Sequence, residues 1–335
     1  TTFSRSGKDE TAYKPTYEHP SQSMKIVTGL SYKYDYKGKW NTSAFVKHYM
    51  NHLEAYLDPE GGINYQDFSN TTSYWGGGWA STYFWGRHTQ LRLSYEYALR
   101  LPTSRELFGS GDDIERGNSN LKPESSNNVN ISVTANAVDL TDHRLTIDAA
   151  FQYREIKDYI RRTTNNDSGR ASSQNDGRVR NLGTDLSIRY TFKDAFFVGG
   201  SYIDMRSLTR YVTGTQQESK NYKERVPAIP YMYGNGEAGL TLRDVFVKGT
   251  VLDIHYMMNY VQKFSYEWNV YQNAELDIPT QFSHDLFVSY NFGKKSEFTV
   301  SAECTNIFNA RLYDNFKMQK PGRAFAIKFG YSFMK

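Results

Sequence analysis

A single cysteine, Cys304, occurs in the 335 residues, which excludes a disulfide within the chain and any CxxC zinc or redox site. Long apolar runs are missing too, for nothing approaches the roughly 20 consecutive apolar residues that a membrane-spanning helix requires. Charge of one sign is scarce. The formal net charge is only +4 and the basic residues are dispersed, so no nucleic-acid groove is implied and no nucleic-acid partner is expected. The opening segment, Thr1 to Glu10, lacks the basic and apolar regions of a secretory signal, and the chain is expected to start inside a longer precursor.

Aromatic residues are what the chain has in excess: 27 Tyr, 20 Phe and 5 Trp beside only 9 Pro. That content excludes disorder, which is poor in aromatics. The chain is nevertheless polar on average, so apolar and polar residues must be finely interleaved. The interleaving has a period of two. Val129, Ile131, Val133, Ala135 and Ala137 oppose Asn128, Asn130, Ser132, Thr134 and Asn136, and Leu91, Leu93, Tyr95, Tyr97 and Leu99 alternate with polar or small neighbours in the same way. The pattern recurs at Leu145 to Tyr153, Leu186 to Phe192, Phe298 to Cys304 and Phe325 to Phe333. Alternation of this kind is the signature of strands with two unlike faces. No amphipathic helix of three turns is found. The length would allow two globular domains, yet no linker divides the chain, and residues 1–335 read as one all-β architecture.

The connections alternate as well. Short turns fall near Lys37 to Lys39, Gly86 to His88, Val138 to Asp142, Lys193 to Asp194, Arg243 to Asp244 and Gly293 to Ser296. Long polar loops fall near Asn51 to Ser73, Leu101 to Ser125, Asp158 to Gly177, Arg210 to Met232 and Gln262 to Ile278, with a shorter one near Ala310 to Lys320. Unequal ends are the rule for an antiparallel transmembrane barrel, with tight periplasmic turns and longer outer loops. A water-soluble sandwich or propeller also alternates along its strands but has no reason to keep its two ends so different. Counting from Met24, and including a strand at Tyr74 to Trp85, about thirteen strands are expected, with residues 1–23 in an outer loop. Single-chain bacterial barrels have even strand numbers, so the expectation is the C-terminal part of a larger barrel.

One stretch is more specific. Tyr95 to Pro102 ends a strand, Arg105-Glu106-Leu107-Phe108-Gly109 follows, and Gly117 to Ser125 opens the next strand. Pro102 has no N–H to donate and stops the ladder, while Gly117, Asn118 and Pro123 supply turn geometry. As a pattern, Arg100, Pro102, Glu106 and Leu107 followed by Asn118, Leu121, Pro123 and Glu124 resembles the TonB-dependent outer-membrane receptors, siderophore receptors among them. Asn306 and Asn309, then Gly322 and Arg323, then an aromatic last strand ending near Phe333, extend the resemblance over residues 90–335 in the family's order. Two positions depart from it: Ser119 stands where the family has proline, and Phe333 is followed by Met334 and Lys335 where the family ends on an aromatic residue.

The resemblance implies a plugged barrel of about 22 strands, of which this chain would supply the distal wall and outer loops, roughly nine strands and the plug lying outside it. It implies an outer-membrane location in a Gram-negative cell, contact with outer-membrane lipid, and uptake of a scarce ligand driven by the TonB–ExbB–ExbD system through the absent plug. A surface lipoprotein lid over loops such as Asp158 to Gly177 and Arg210 to Met232 is a further partner to consider. Ferric siderophores are the commonest cargo of such receptors; cobalamin, oligosaccharide and peptide cargo stay open. Haem is disfavoured, because haem receptors of this type carry a histidine in the signature loop and none lies between Arg100 and Asn118.

Bulky anionic chelates are bound by charge and stacking, which makes Trp75, Trp79, Tyr83, Arg105, Arg116 and Tyr159 the candidate ligand contacts. Girdle or loop packing is the competing role of each aromatic, and a solvated charge that of each arginine. No resident cofactor or metal is expected. His48 and His52, alone among the 7 histidines, are spaced for a shared metal site, and they read more simply as polar residues near a strand end. Asp112 and Asp113 near Glu115 have calcium-like chemistry but suit an ordinary acidic loop. Gly76-Gly77-Gly78 lacks the spacing of a phosphate loop and reads as close packing beside aromatics. No GxSxG or HExxH occurs, so no enzyme is expected. A passive porin would lack the signature segments.

Overall fold

The computed structural model of the chain describes residues 2–5, 22–57, 66–109, 115–164, 171–193, 196–212, 215–268, 272–293 and 297–333. Strands carry nearly all of it, in chain order. They begin with β1 (Thr2–Arg5), β2 (Gln22–Tyr36), β3 (Trp40–Leu57), β4 (Gln66–Trp85) and β5 (Thr89–Arg100). A short helix, α1 (Ser104–Phe108), precedes β6 (Glu115–Arg116), β7 (Glu124–Asp139), β8 (His143–Lys157), β9 (Ile160–Thr164), β10 (Ala171–Asn175), β11 (Arg178–Phe192) and β12 (Phe196–Ser207). The last are β13 (Met232–Arg243), β14 (Val251–Val261), β15 (Phe264–Ser265), β16 (Asp277–Ile278), β17 (Gln281–Phe292), β18 (Phe298–Thr305) and β19 (Ala324–Tyr331).

The long strands pair antiparallel with their chain neighbours in a single 14-stranded sheet that runs from β1 to β19. Short strands inside the long loops make a 3-stranded sheet, β6-β10-β9, and a 2-stranded one, β15-β16. A meander of this kind puts every short turn at one end and every long loop at the other, as the spacing of the connections predicts. The turn at Lys37 and Gly38 shows why the tight end stays tight. Both residues have positive φ, 53° and 64°, and Lys39 N–H donates to the Tyr36 carbonyl at 2.9 Å. This is the primed turn whose twist matches that of the strands it joins.

Three expectations change. The loop expected near Asn51 to Ser73 is shorter, because β3 runs on to Leu57 and β4, expected from Tyr74, starts at Gln66, the two pairing throughout. Pairing starts earlier than the alternation from Met24: Thr2 to Arg5 lie opposite Lys25 to Gln22, so part of the 1–23 stretch is strand rather than loop. Four residues are too few for a period to register, and the backbone ladder places them. The wall therefore has 14 strands rather than the expected odd number, and strand parity does not itself argue for an incomplete barrel; among the described residues β1 and β19 are not paired with each other. Ala137 also leaves the apolar face. The register shifts between Asn136 and Val138, a bulge that puts Val138 opposite Leu145 and bends the strand at its turn.

Residues opposite each other in a ladder point the same way, so register sorts the two faces. One row runs Tyr32, Ala44, Trp79, Tyr95, Val129, Tyr153, Leu182. Another runs Tyr36, Trp40, Tyr83, Leu91, Val133, Ala149, Leu186. The same face continues through Ile254, Val288, Ala302 and Ile327. On the opposite face the row Gly78, Glu96, Asn128, Arg154, Asn181 is polar. The sheet thus has an apolar outer face and a polar inner face, and its buried apolar clusters lie in the loops at the long-loop end, packed on the last inner-face residues of the strands. Gly76 and Gly78 belong to the inner face, where Tyr49 and Phe45 cross them: a Cβ on Gly78 would sit 2.8 Å from the Phe45 ring. The triple glycine is a packing device.

Candidate functional site

The signature segments build a platform over the long-loop end. Arg100, the last residue of β5, reaches Glu124, the first of β7, with Nε and Nη2 at 3.0 and 3.1 Å, and Glu106 with Nη1 at 3.1 Å. One guanidinium thereby ties two strand ends to α1 through the forked geometry that only arginine offers. Glu124 is 4% exposed, and its Oε1 also accepts the Ile160 N–H at 2.7 Å. Thr103 and Glu106 close a capping box on α1, which satisfies amide donors that a helix start leaves free. Asn118 N–H donates to the Glu106 carbonyl and its Nδ2 to the Ser173 carbonyl, each at 2.9 Å. Leu107 and Leu121 pack with Leu53 and Ile160 in a small core. Arg100, Glu106, Leu107, Asn118, Leu121 and Glu124 thus each have a structural task.

Farther round the wall the loops fold inward. Ile156 and Val179, on the inner face, are 2% exposed beneath Val226 of the β12–β13 loop, with Tyr159, Ile229 and Trp268 packed around them. Burial pushes the Tyr159 phenol above its ordinary pKa, helped by the negative charge of Glu124. Between this loop and the β15-β16 hairpin lies a half-open cleft of about 480 Å³, with Arg225, Tyr231, Lys263, Phe264, Glu267 and Asp277 among its walls. Lys263 Nζ meets Asp277 at 2.9 Å; the Asp277 hydrogen bond and charge raise the ammonium's pKa. The Arg225 guanidinium lies 3.4 Å from the centre of the Tyr231 ring. Beside the cleft, Arg161 lies 5.4 Å from the Trp268 ring centre and 2.7 Å from Asp176, and Trp268 Nε1 has no hydrogen-bond partner among the described residues. Cations held on aromatic faces at and beside the cleft can hold a bulky, oxygen-rich anion.

The sequence candidates do not converge on this place. Trp75, Trp79 and Tyr83 lie along β4 on the apolar outer face, and Trp79 donates its Nε1–H to Thr42 at 2.8 Å. Arg105 and Arg162 both pair with Glu115, the latter at 3.2 Å, so Glu115 is neutralised by cations; Asp112 and Asp113 lie outside the described residues. Arg116 is exposed in β6. Only Tyr159 joins the inward cluster. His48 and His52 share a face as their spacing implies, but they bond separately, to Ser73 at 2.6 Å and Thr71 at 2.7 Å. Among the described residues no metal-ligating cluster is found. Arg161, Arg225, Tyr231 and Trp268 escaped the sequence reading because long-range loop packing unites them; Trp268, a tryptophan deep in a polar loop, was the available signal.

The later signature positions form a latch. Asn306 and Asn309 have positive φ, 50° and 52°, a conformation asparagine tolerates better than most residues. Asn306 exchanges side-chain hydrogen bonds with both backbone groups of Ala310 at 2.8 Å, and Asn309 Oδ1 accepts the Arg323 N–H at 2.9 Å. A Cβ on Gly322 would lie 2.6 Å from that same oxygen. Gly322→Ala is therefore expected to break the latch and cost about 1–2 kcal/mol, read as faster hydrogen exchange at the Arg323 amide; unchanged exchange would refute the role. Phe333 lies beyond the ladder and is exposed.

The family model described as "TonB dependent receptor-like, beta-barrel" matches residues 5–307. No curated protein is matched. Solved structures of similar fold include the copper transporter OprC, at 14% identity and a TM-score of 0.72, covering 93% of this chain and 48% of that one. The FrpB iron transporter from Neisseria meningitidis (F5-1 variant) is 16% identical with a TM-score of 0.69, over 94% of this chain and 46% of that one. BauA, the ferric preacinetobactin receptor from Acinetobacter baumannii, is 16% identical with a TM-score of 0.66, over 94% and 44%. The chain spans about half the length of each.

Proposed function

Since the chain belongs to the TonB-dependent receptor β-barrel family, we propose that it forms the distal wall and outer loops of an outer-membrane receptor that imports a scarce ligand, foremost a ferric siderophore. The observation that carries this reading is the sheet with one apolar and one polar face, whose long loops pack back onto the polar face. The dimensions agree. From Trp75 to Trp85 the outer face of β4 advances about ten residues, ~33 Å at ~3.3 Å per residue, which at a tilt of about 45° covers ~23 Å of a band about 25 Å tall. Above Trp75 the β4 row becomes polar at Ser73 and Thr71, with His48 and His52 on either side of Met50 on β3, the mixed character expected where the hydrocarbon ends.

The remaining barrel, the plug and its coupling to TonB–ExbB–ExbD belong to this proposal, as does any lipoprotein lid. Solved receptors of the same fold are named for iron, ferric chelates and copper, which supports a metal chelate as cargo. Inward loops argue for capture at the surface rather than passive flow. A strain lacking the gene should lose growth on one ferric siderophore as sole iron source while growing normally on the others; normal growth on every siderophore and on haem would overturn the iron reading. Trp268→Ala in the complete receptor is expected to weaken binding of that siderophore about 5- to 30-fold, the range of one desolvated stacking or cation–π contact. Equal affinity would remove the Arg161–Trp268 contact from the site.

A further inference from the structure

On the outer face at the long-loop end, the ladder brings cations side by side. Glu155 lies opposite Arg180, Arg180 opposite Arg206, and Arg206 opposite Arg225. Like charges directly opposite each other destabilise a sheet, so this row needs counter-charge. The protein supplies little of it. Glu155 is paired with Arg178, and Asp204 is shared by Arg206 at 2.8 Å and Arg225 at 3.2 Å. Four arginines thus face two carboxylates. Arg180 has no ion pair or hydrogen bond to its guanidinium among the described residues, although it is not fully exposed.

The position of the row says what kind of anion is missing. The next row along the strands is Val129, Tyr153, Leu182, Asp204, where the apolar face begins, and Tyr231 under Arg225 touches Tyr202 of that face edge-on at 6.4 Å. Arg180 and Arg206 therefore stand one residue pair above the apolar band, on the apolar side of the sheet and away from the cleft that Arg225 lines. A ligand in that cleft does not reach them. On the bilayer placement proposed above, on which this inference rests, they stand at headgroup level of the outer leaflet, where basic residues attract anionic headgroups and guanidinium forks match phosphate oxygens.

We propose that Arg180 and Arg206 bind a phosphate of an outer-leaflet glycolipid headgroup. The lipid supplies the counter-charge that the ladder lacks and clamps β11 and β12 together at the membrane surface. Removing one arginine has an effect that depends on the lipid. Without it, Arg180→Gln relieves repulsion; with it, the same change loses a contact.

The test uses the complete receptor purified in detergent, with the thermal midpoint of heat-modified gel mobility as readout. Bis-phosphorylated lipid A should raise the midpoint of the wild type, whereas dephosphorylated lipid A and inorganic phosphate at equal concentration should not. Arg180→Gln should leave the lipid-free midpoint unchanged or higher, and R180Q/R206Q should weaken the apparent glycolipid affinity about thirtyfold, the effect expected for two basic residues at an anionic lipid surface. Arg180→Lys should retain part of the response. An undiminished response in the double variant, an equal response to dephosphorylated lipid A, or a lower lipid-free midpoint for Arg180→Gln would each overturn the proposal, and a response to inorganic phosphate alone would make the row a free-anion site. Insertion of the wild type into phosphatidylcholine vesicles is measured in parallel. Failure to insert would refute the bilayer placement, whereas insertion without phosphate dependence would refute the headgroup site alone.

Discussion

Ile131→Arg should prevent stable insertion of the complete receptor, while Asn130→Arg, one residue away, should be tolerated. Ile131 is 49% exposed on the outer face between Leu93 and Phe151, inside the apolar band. A guanidinium there must enter hydrocarbon or snorkel to the headgroups, at a cost between about 1 kcal/mol near the interface and about 2–4 kcal/mol at the midplane of such barrels. Asn130 points the other way, onto the polar face beside Ser94 and Gln152, where a cation meets polar neighbours. Both variants change the same charge in the same strand, so the comparison cancels effects on synthesis and solubility. Heat-modified mobility and equilibrium unfolding in lipid vesicles would read the difference; equal stability of the two variants would refute the assignment of faces.

Arg100→Ala should loosen the signature platform without dissolving the wall. It leaves Glu124, 4% exposed, with the Ile160 amide but without its fork, and frees Glu106 from α1's anchor. Breaking a buried pair costs about 3–5 kcal/mol; Arg100 itself is 39% exposed, so water screens the loss and about 2 kcal/mol is the reasonable scale. The effect should be local: faster hydrogen exchange at Ile160 and new protease cleavage between residues 101 and 123, with the strands still protected. Arg100→Lys keeps the charge but cannot fork onto Glu124 and reach Glu106 at once, so it should fall between. An unchanged exchange rate at Ile160 in Arg100→Ala would show that the platform stands by its apolar core of Leu107 and Leu121 alone.

Much of this was readable beforehand where the signal is local. A period of two needs only a strand's own residues, so the faces of β5, β7, β8 and β11 followed from Leu91 to Leu99, Val129 to Ala135, Leu145 to Tyr153 and Leu186 to Phe192, and the register keeps each set on one face. Turn chemistry at Lys37 and Gly38 is equally local. Ala137 was misplaced because a bulge is a property of the pair of strands. Thr2 to Arg5 were misplaced because their order comes from β2. The six proposed ligand contacts were chosen by residue type, and type does not say which way a side chain points. Trp75, Trp79 and Tyr83 share the parity of Trp85 and so face outward with it, a conclusion their spacing already allowed.

By itself the sequence determined that this chain is a meander of amphipathic strands with one tight end and one looped end, because side-chain alternation and turn residues act within a few positions of each other. It also carried the family through motifs whose residues prove to be fasteners: Arg100 between Glu106 and Glu124, and Asn309 against Arg323. Tertiary structure alone decided which loops meet over the polar face, so that Arg161 comes to lie on Trp268 and Arg225 on Tyr231. It alone set Arg180 opposite Arg206. Residues separated by tens of positions are brought together by register and by burial of shared apolar surface, and neither leaves a periodic trace in the chain. The scaffold was legible because it repeats; the binding surfaces were hidden because they do not.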